Sequence, residues 1–139
     1  MRKLFRWPGD FSLKQTIMSN DRFRSYIADV KTRIREVTVE GYLAELAGGK
    51  TQPVLIDVRE ADEVAKGHAP GARLISRGIL EGNIEDEVPD LNTPLILSCA
   101  SGNRSALAAE SLQKMGYTDV RSLAGGFKAW LASGQPVAK

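Results

Sequence analysis

The one cysteine of this 139-residue chain, Cys99, begins the segment Cys-Ala-Ser-Gly-Asn-Arg-Ser at 99–105, here called the cysteine loop. An apolar run at 94–98 precedes the loop, and a helical pattern from Ser105 to Met115 follows it. The thiol is therefore expected at a strand-to-helix turn, where backbone N–H groups converge and the helix N-terminus carries partial positive charge. Such surroundings lower the pKa of a thiol and make it a nucleophile, and the same amides can curl around an anion.

The other residue types of the cysteine loop suit an anion-binding site. Gly102 tolerates a positive φ, so the chain can turn tightly and aim its amides inwards. Arg104 carries a permanent, forked charge suited to a sulfonate, phosphate or carboxylate. Ser101 and Ser105 add hydroxyl donors, and Ser105 is also a candidate N-cap of the following helix. An inert, buried cysteine would not require this glycine and arginine, so a reactive thiol is favoured.

The elements that would position the loop alternate along the chain. Continuous apolar runs at 54–58 and 94–98 are typical of buried parallel strands, and short strands are predicted at 37–39, 72–75 and 120–123. Helices are predicted at 40–47, 60–66, 78–87, 105–114 and 126–132, and an earlier one from Asn20 or Asp21 to about Arg35. This alternation predicts an α/β domain on a mostly parallel sheet, with ligands at the carboxyl ends of the strands, where Cys99 falls.

Composition limits the class of protein. The chain is 42% hydrophobic and 26% charged, which is ordinary for a globular domain. One cysteine excludes an intramolecular disulfide framework, and with one histidine it cannot build a four-ligand zinc site. We therefore expect no metal, no cofactor and a reducing, cytoplasmic compartment. No apolar run approaches the ~20 residues of a membrane span, and a membrane is not an expected partner.

Charge divides the chain unevenly. Residues 1–36 hold nine Lys/Arg against four Asp/Glu, whereas 37–139 hold ten against thirteen. We predict a basic, partly helical extension at 1–36 and a single domain at 37–139. The extension is expected to be solvated, and Met18 is an alternative translation start. The competing interpretation is that the extension contacts an acidic acceptor protein, a tRNA or anionic lipid, although nucleic acid is not the expected partner.

Four motifs, in the same order, resemble those of the rhodanese-like sulfurtransferases over residues 37–137. Residues 56–60 (IDVRE) are similar to the first signature strand of that family. Residues 67–72 (GHAPGA) are similar to its Gly-His-Ile-Pro-Gly-Ala turn, with Ala69 where Ile is commoner. The cysteine loop resembles the active-site loop, and 116–117 (GY) with 123–127 (LAGGF) and Trp130 resemble the C-terminal signature.

The resemblance implies a rhodanese-like fold, with a central, mostly parallel five-stranded sheet flanked by helices on both faces. It implies a thiosulfate sulfurtransferase in which Cys99 accepts a sulfane sulfur from thiosulfate or a related donor as a persulfide. The sulfur then passes to a thiophilic acceptor such as cyanide, a thiol or a protein. The substrate would be bound by the remaining loop residues, Ala100, Ser101, Gly102, Asn103, Arg104 and Ser105.

Three residues outside the loop are candidates for supporting roles. Arg59 is predicted to contribute to substrate binding, and Asp57 to be structural, satisfying backbone donors or pairing with an arginine. His68 is the sole histidine and so the sole candidate imidazole base. We expect it instead to hydrogen-bond to the backbone and hold its turn. Gly125-Gly126 is interpreted as only a turn before a helix.

Two other functions stay open on the sequence. One is a non-catalytic binding or regulatory module of the rhodanese fold, which the intact Cys-x-x-Gly-x-Arg pattern disfavours. The other is a phosphatase of the same fold. In related phosphatases five residues separate the cysteine from the arginine, whereas four separate Cys99 from Arg104. One residue changes the reach of the loop by about 3.5 Å, which favours sulfur over phosphate.

Overall fold

Five short strands form one sheet in the computed structural model, which describes residues 20–139; the alternative start at Met18 lies outside the described residues. The strands pair in the order β1-β5-β4-β2-β3, and every pairing is parallel. Their bounds are β1 Arg35–Val37, β2 Val54–Asp57, β3 Arg73–Leu74, β4 Leu95–Ser98 and β5 Val120–Leu123. The predicted parallel sheet of an α/β fold is confirmed.

Six α-helices occur in residues 20–139: α1 Asp21–Lys31, α2 Val39–Gly48, α3 Ala61–Ala65, α4 Leu80–Glu87, α5 Asn103–Lys114 and α6 Gly126–Ala132. A 3-10 turn at Arg77–Ile79 leads into α4. None of the helices in this part of the chain is long and apolar enough to cross a membrane.

Helices cover both faces of the sheet. Alternate strand residues point to opposite faces, and apolar side chains on each face pack against helices. On one face Leu97 of β4 belongs to a cluster with Ile84 of α4 and Leu112 of α5. On the other face its neighbour Ile96 belongs to a cluster with Tyr42 of α2 and Trp130 of α6. Burial on both faces explains why the central strands are continuous apolar runs rather than alternating ones.

The first strand lies two residues earlier than predicted. Thr38 is the N-cap of α2, because its side-chain oxygen accepts a hydrogen bond from the Gly41 N–H at 3.0 Å, so the strand ends before it. At its other end β1 begins with Arg35, which pairs with Arg121 of β5, so the preceding helix cannot extend to Arg35 as predicted; it ends at Lys31. The predicted domain boundary between 36 and 37 falls within β1, and that division stays a prediction.

Helix α1 packs along α5 through one apolar side. Ile27 and Val30 are 5% and 0% exposed, whereas Tyr26 is 52% exposed. Arg33, just beyond the helix, bridges the two elements, since it donates to Asp29 at 2.8 Å and to Glu110 of α5 at 2.6 Å. The apolar side of the predicted helix therefore contacts the same unit that carries the cysteine.

Candidate active site

Cys99 directly follows β4, an interior strand paired on both edges, and α5 begins four residues later at Asn103. The helix begins two residues before the predicted start, and its N-cap is Gly102 at φ 101°. The prediction of Ser105 as N-cap is therefore wrong, because Ser105 already lies inside the first turn. The positive φ is strained for any residue with a side chain, so the tight turn favours glycine at this position.

Three polar groups lie within hydrogen-bond distance of the Cys99 sulfur, and two of them are backbone N–H donors. The sulfur lies 3.1 Å from the backbone nitrogen of Gly102, and 3.4 Å from both the backbone nitrogen and Oγ of Ser105. Burial, at 1% exposure, by itself raises the pKa of the thiol. Hydrogen bonds from the Ser105 side chain and from the backbone of Ser105, Ser101 and Gly102 outweigh it, so the pKa of Cys99 lies below its usual value. The arrangement favours a thiolate.

A second serine stands behind the first. Ser105 Oγ is 2.8 Å from Ser122 Oγ of β5, and both residues are fully buried. Sequence reasoning did not single out Ser122. Its only signal was a hydroxyl within the short strand predicted at 120–123; the structure buries that hydroxyl, and a buried hydroxyl requires a hydrogen-bond partner. The structure thus links the cysteine loop to the neighbouring strand through side chains alone.

The first turn of α6 holds the loop from the other side. The N–H groups of Phe127 and Lys128 donate to the carbonyl oxygens of Cys99 and Ala100, at 2.8 and 3.1 Å. Gly126, at φ 57°, makes this approach feasible, because a Cβ there would lie 2.8 Å from the carbonyl carbon of Ala100. With these carbonyl groups bound outside, the loop can present N–H groups to the sulfur. Gly126 is therefore more than a turn residue.

Arg104 is held by Glu63 of α3, a residue that sequence reasoning missed. Two nitrogens of the guanidinium donate to the two carboxylate oxygens at 2.7 and 2.9 Å, and both side chains are about one-third exposed. The Arg104 hydrogen bonds lower the pKa of Glu63 to about 2, and Glu63 raises that of Arg104. Glu63 also accepts from the Glu60 N–H in a capping box, and the Glu-x-x-Glu spacing at 60–63 was its sequence signal.

Asp57 and Arg59 form a buried pair at the end of β2. Arg59 Nη2 donates to Asp57 Oδ2 at 2.9 Å and to the carbonyl oxygen of Gly67 at 2.8 Å. Its guanidinium carbon lies 4.2 Å from the ring centroid of Phe127, the residue whose N–H binds Cys99. Arg59 is 5% exposed, so its guanidinium is buried against residues that hold the cysteine loop. Substrate contact by Arg59 stays a prediction.

His68 takes part in backbone contacts. Its Nδ1 lies 3.0 Å from the carbonyl oxygen of Ala69, and its main chain pairs with Ala138 in an antiparallel bridge. These contacts fit the predicted structural role. Within residues 20–139, no group of three or more His, Cys, Asp and Glu side chains could hold a metal ion.

The fold and the loop define a parallel α/β domain with a cysteine at the carboxyl end of an interior strand. The family model of the rhodanese-like domain matches residues 38–133, and the chain belongs to that family. It is 40% identical over 80 residues to the thiosulfate sulfurtransferase GlpE of Ectopseudomonas mendocina, covering 58% of this chain and 72% of the relative.

Solved structures of several proteins are similar. A Rhodopseudomonas palustris protein of unknown function, a possible tyrosine phosphatase, has a TM-score of 0.72 at 29% identity, covering 83% of this chain and 92% of that protein. The human single-domain sulfurtransferase has a TM-score of 0.61 at 29% identity, with 70% and 95% covered. The polysulfide-sulfur transferase of Wolinella succinogenes, with a TM-score of 0.73 at 24% identity and 89% and 92% covered, shares the fold. The similarity to the thiosulfate sulfurtransferase GlpE and to the human protein supports a sulfurtransferase in general.

Proposed function

We propose that the chain is a thiosulfate sulfurtransferase that carries sulfane sulfur on Cys99. The observation that supports this most directly is the set of hydrogen bonds at 3.1 and 3.4 Å around the Cys99 sulfur, which lowers the pKa of the thiol and so favours the thiolate. A thiolate at the N-terminal turn of α5 is a nucleophile without a separate general base. His68, whose Nδ1 contacts the Ala69 carbonyl oxygen, is not needed for the reaction.

The proposed reaction has two balanced steps. The Cys99 thiolate attacks the terminal sulfur of thiosulfate; a new S–S bond forms, the S–S bond of thiosulfate breaks, and its electron pair leaves with sulfite. The persulfide retains one negative charge on its outer sulfur. A thiophilic acceptor, such as cyanide or a thiolate, then attacks that outer sulfur, and the electron pair of the breaking S–S bond returns to Cys99.

The remaining loop residues are proposed to bind the donor and the persulfide. Backbone N–H groups of residues 100–105 would surround the anionic outer sulfur, as a nest does. Arg104 would attract the anionic donor, although its charge is partly balanced by Glu63 at 2.7 Å. The expected partners are therefore a small anionic donor and a thiophilic acceptor, of which a protein thiol is one class. A cytoplasmic location stays a prediction.

Intact mass after incubation with thiosulfate tests the proposal. We expect wild-type protein to gain one sulfur atom, to lose it on addition of cyanide, and to yield thiocyanate. Cys99→Ala should gain nothing. Ser98→Ala is the matched control, because it removes a buried hydroxyl next to Cys99 whose contact is the Cys99 carbonyl oxygen at 3.5 Å rather than the sulfur. A folded wild type that gains no sulfur would contradict the proposal and favour the binding-module alternative.

A phosphatase is the second candidate, because the similar Rhodopseudomonas palustris protein is a possible tyrosine phosphatase. Both chemistries use a cysteine thiolate and an anion-binding loop, so the geometry of Cys99 alone does not separate them. Hydrolysis of an aryl phosphate does. Turnover that is lost in Cys99→Ala, in a protein that takes no sulfur from thiosulfate, would replace the sulfurtransferase proposal with this one.

A further inference from the structure

The side chains of Ser122, Ser105 and Cys99 form a row of hydrogen bonds in the core, here called the hydroxyl relay, that ends at the reactive sulfur. Cys99 Sγ lies 3.4 Å from Ser105 Oγ, and Ser105 Oγ lies 2.8 Å from Ser122 Oγ. Cys99 is 1% exposed and the two serines are 0% exposed, so water does not compete for these hydroxyls from bulk solvent. Among the hydrogen bonds of residues 20–139, the side chain of Ser122 contacts Ser105 alone.

The number of protons held by Cys99, Ser105 and Ser122 decides the direction of the hydrogen bonds between them. With Cys99 as a thiolate, two hydroxyl protons fill two gaps: Ser122 donates to Ser105, and Ser105 donates to the sulfur. With Cys99 as a thiol, three protons compete for the same two gaps, and one proton is left without an acceptor. A buried donor without a partner is costly, so every proton of the hydroxyl relay has an acceptor only when Cys99 is a thiolate.

We propose that Ser122 is a positioning residue for Cys99: its hydroxyl donates to Ser105 Oγ and thereby keeps the Ser105 proton directed at the sulfur. Ser122 does not touch the substrate and acts through Ser105. The inference deepens the proposed function and rests on it for its catalytic meaning. In sulfur transfer the relay stabilises Cys99 as the attacking thiolate, and again as the leaving thiolate when the acceptor removes the outer sulfur.

Three arginines on the surrounding elements are already paired, and Lys128 of α6, whose backbone N–H binds Ala100, has an exposed side chain. Arg104 of α5 binds Glu63 of α3, and Arg59 binds Asp57 at the end of β2. Arg121, next to Ser122 in β5, binds Glu45 of α2 at 2.7 Å. Replacing Ser122 by alanine leaves these pairs intact, so a change in the titration of Cys99 would come from the hydroxyl relay.

Thiolate absorbance in the ultraviolet tests the inference, because Cys99 is the only cysteine of the chain. The pH titration is recorded for wild type, S122A, S105A and the double variant, without a sulfur donor, each against the same protein carrying Cys99→Ala. We expect S122A to raise the midpoint by about half a pH unit, a threefold loss of thiolate below the midpoint. S105A should raise it further, and the double variant should match S105A, since Ser122 acts only through Ser105.

Ser98→Ala is again the matched control and should titrate like wild type. A midpoint unchanged in S122A overturns the inference, as does a double variant in which the two shifts add, or a shift in Ser98→Ala equal to that in S122A. Because no donor is present, failure of the relay and failure of sulfur transfer are separate results. A protein with the expected titration that takes no sulfur from thiosulfate retains the relay and loses the proposed function.

Discussion

At the scale of single residues, burial and hydrogen bonding act on Cys99 in opposite directions. Burial raises the pKa of the thiol, and hydrogen bonds from Ser105, Ser101 and Gly102 outweigh it. The amides that provide most of these bonds belong to the loop itself, so they are in place before substrate arrives. A site of this kind stabilises negative charge on sulfur with little reorganisation during the reaction.

The ion pair of Glu63 and Arg104 makes the free energy of unfolding depend on pH. Because the pKa of Glu63 is lowered to about 2, its contribution to stability is complete above the ordinary glutamate pKa. It is lost as pH falls from about 4.5 through about 2. Glu63→Gln should lower the free energy of unfolding at pH 7 by about 1 kcal/mol, since solvent screens this partly exposed pair. The difference from wild type should shrink towards pH 2.

Urea unfolding of both proteins at several pH values measures this difference. Glu87→Gln is the control, because Glu87 is 3.9 Å from Arg73 and the pair is about half exposed; it should stay within about 0.5 kcal/mol of wild type. A difference between wild type and Glu63→Gln that grows as the pH falls would contradict the assignment of the pKa.

At the scale of elements, the cysteine loop is held between two helices that begin at glycines with positive φ. Gly102 precedes α5, which supplies the Ser105 contacts to the sulfur, and Gly126 begins α6, which binds the outward carbonyl groups of Cys99 and Ala100. One helix thus positions the donors, and the other fixes the backbone that carries them.

Gly126→Ala should disrupt the second of these contacts. The new methyl group would meet the carbonyl of Ala100, at 2.8 Å from its carbon, and the residue would keep a strained φ of 57°. We expect a loss of at least about 2 kcal/mol in the free energy of unfolding and a slower reaction of Cys99 with thiosulfate. Denaturation and persulfide formation measured by mass check the two effects.

Gly82→Ala in α4 is the matched control, since nothing lies within 4 Å of its added methyl group. That change should stabilise the protein by up to about 1 kcal/mol and leave persulfide formation unaltered. If the two variants had the same free energy of unfolding and formed the persulfide at the same rate, the close contact between α6 and the loop would contribute nothing to stability.

At the scale of the whole molecule, α1 belongs to the unit that carries the site, because its buried side packs on α5. Ile27→Ala removes a side chain that is 5% exposed and should lower the free energy of unfolding by about 2–5 kcal/mol, in a single transition. Tyr26→Ala, at a neighbouring position that is 52% exposed, should change it by about 0.5 kcal/mol or less. If Ile27→Ala unfolds like wild type, α1 is a separate appendage, as a boundary after residue 36 would suggest.

The sequence by itself determined the features that short windows encode. The apolar runs at 54–58 and 94–98 identified the central strands, and the spacing of Gly102 and Arg104 after Cys99 identified the loop. These signals are local, since strand burial and a positive φ depend on residue type and immediate neighbours. The observed bounds of an element differ from the predicted ones where a helix cap sets them, as at Thr38, which caps α2 and so ends β1.

Only the tertiary structure decided which distant side chains meet at the loop. Glu63 and Arg104 are 41 residues apart, Ser105 and Ser122 are 17 apart, and each pair lies on different elements. The register between β4 and β5 and the packing of α5 against β5 and α3 bring these partners within hydrogen-bond distance. No local pattern specifies that register, because it results from the packing of both faces of the sheet at once.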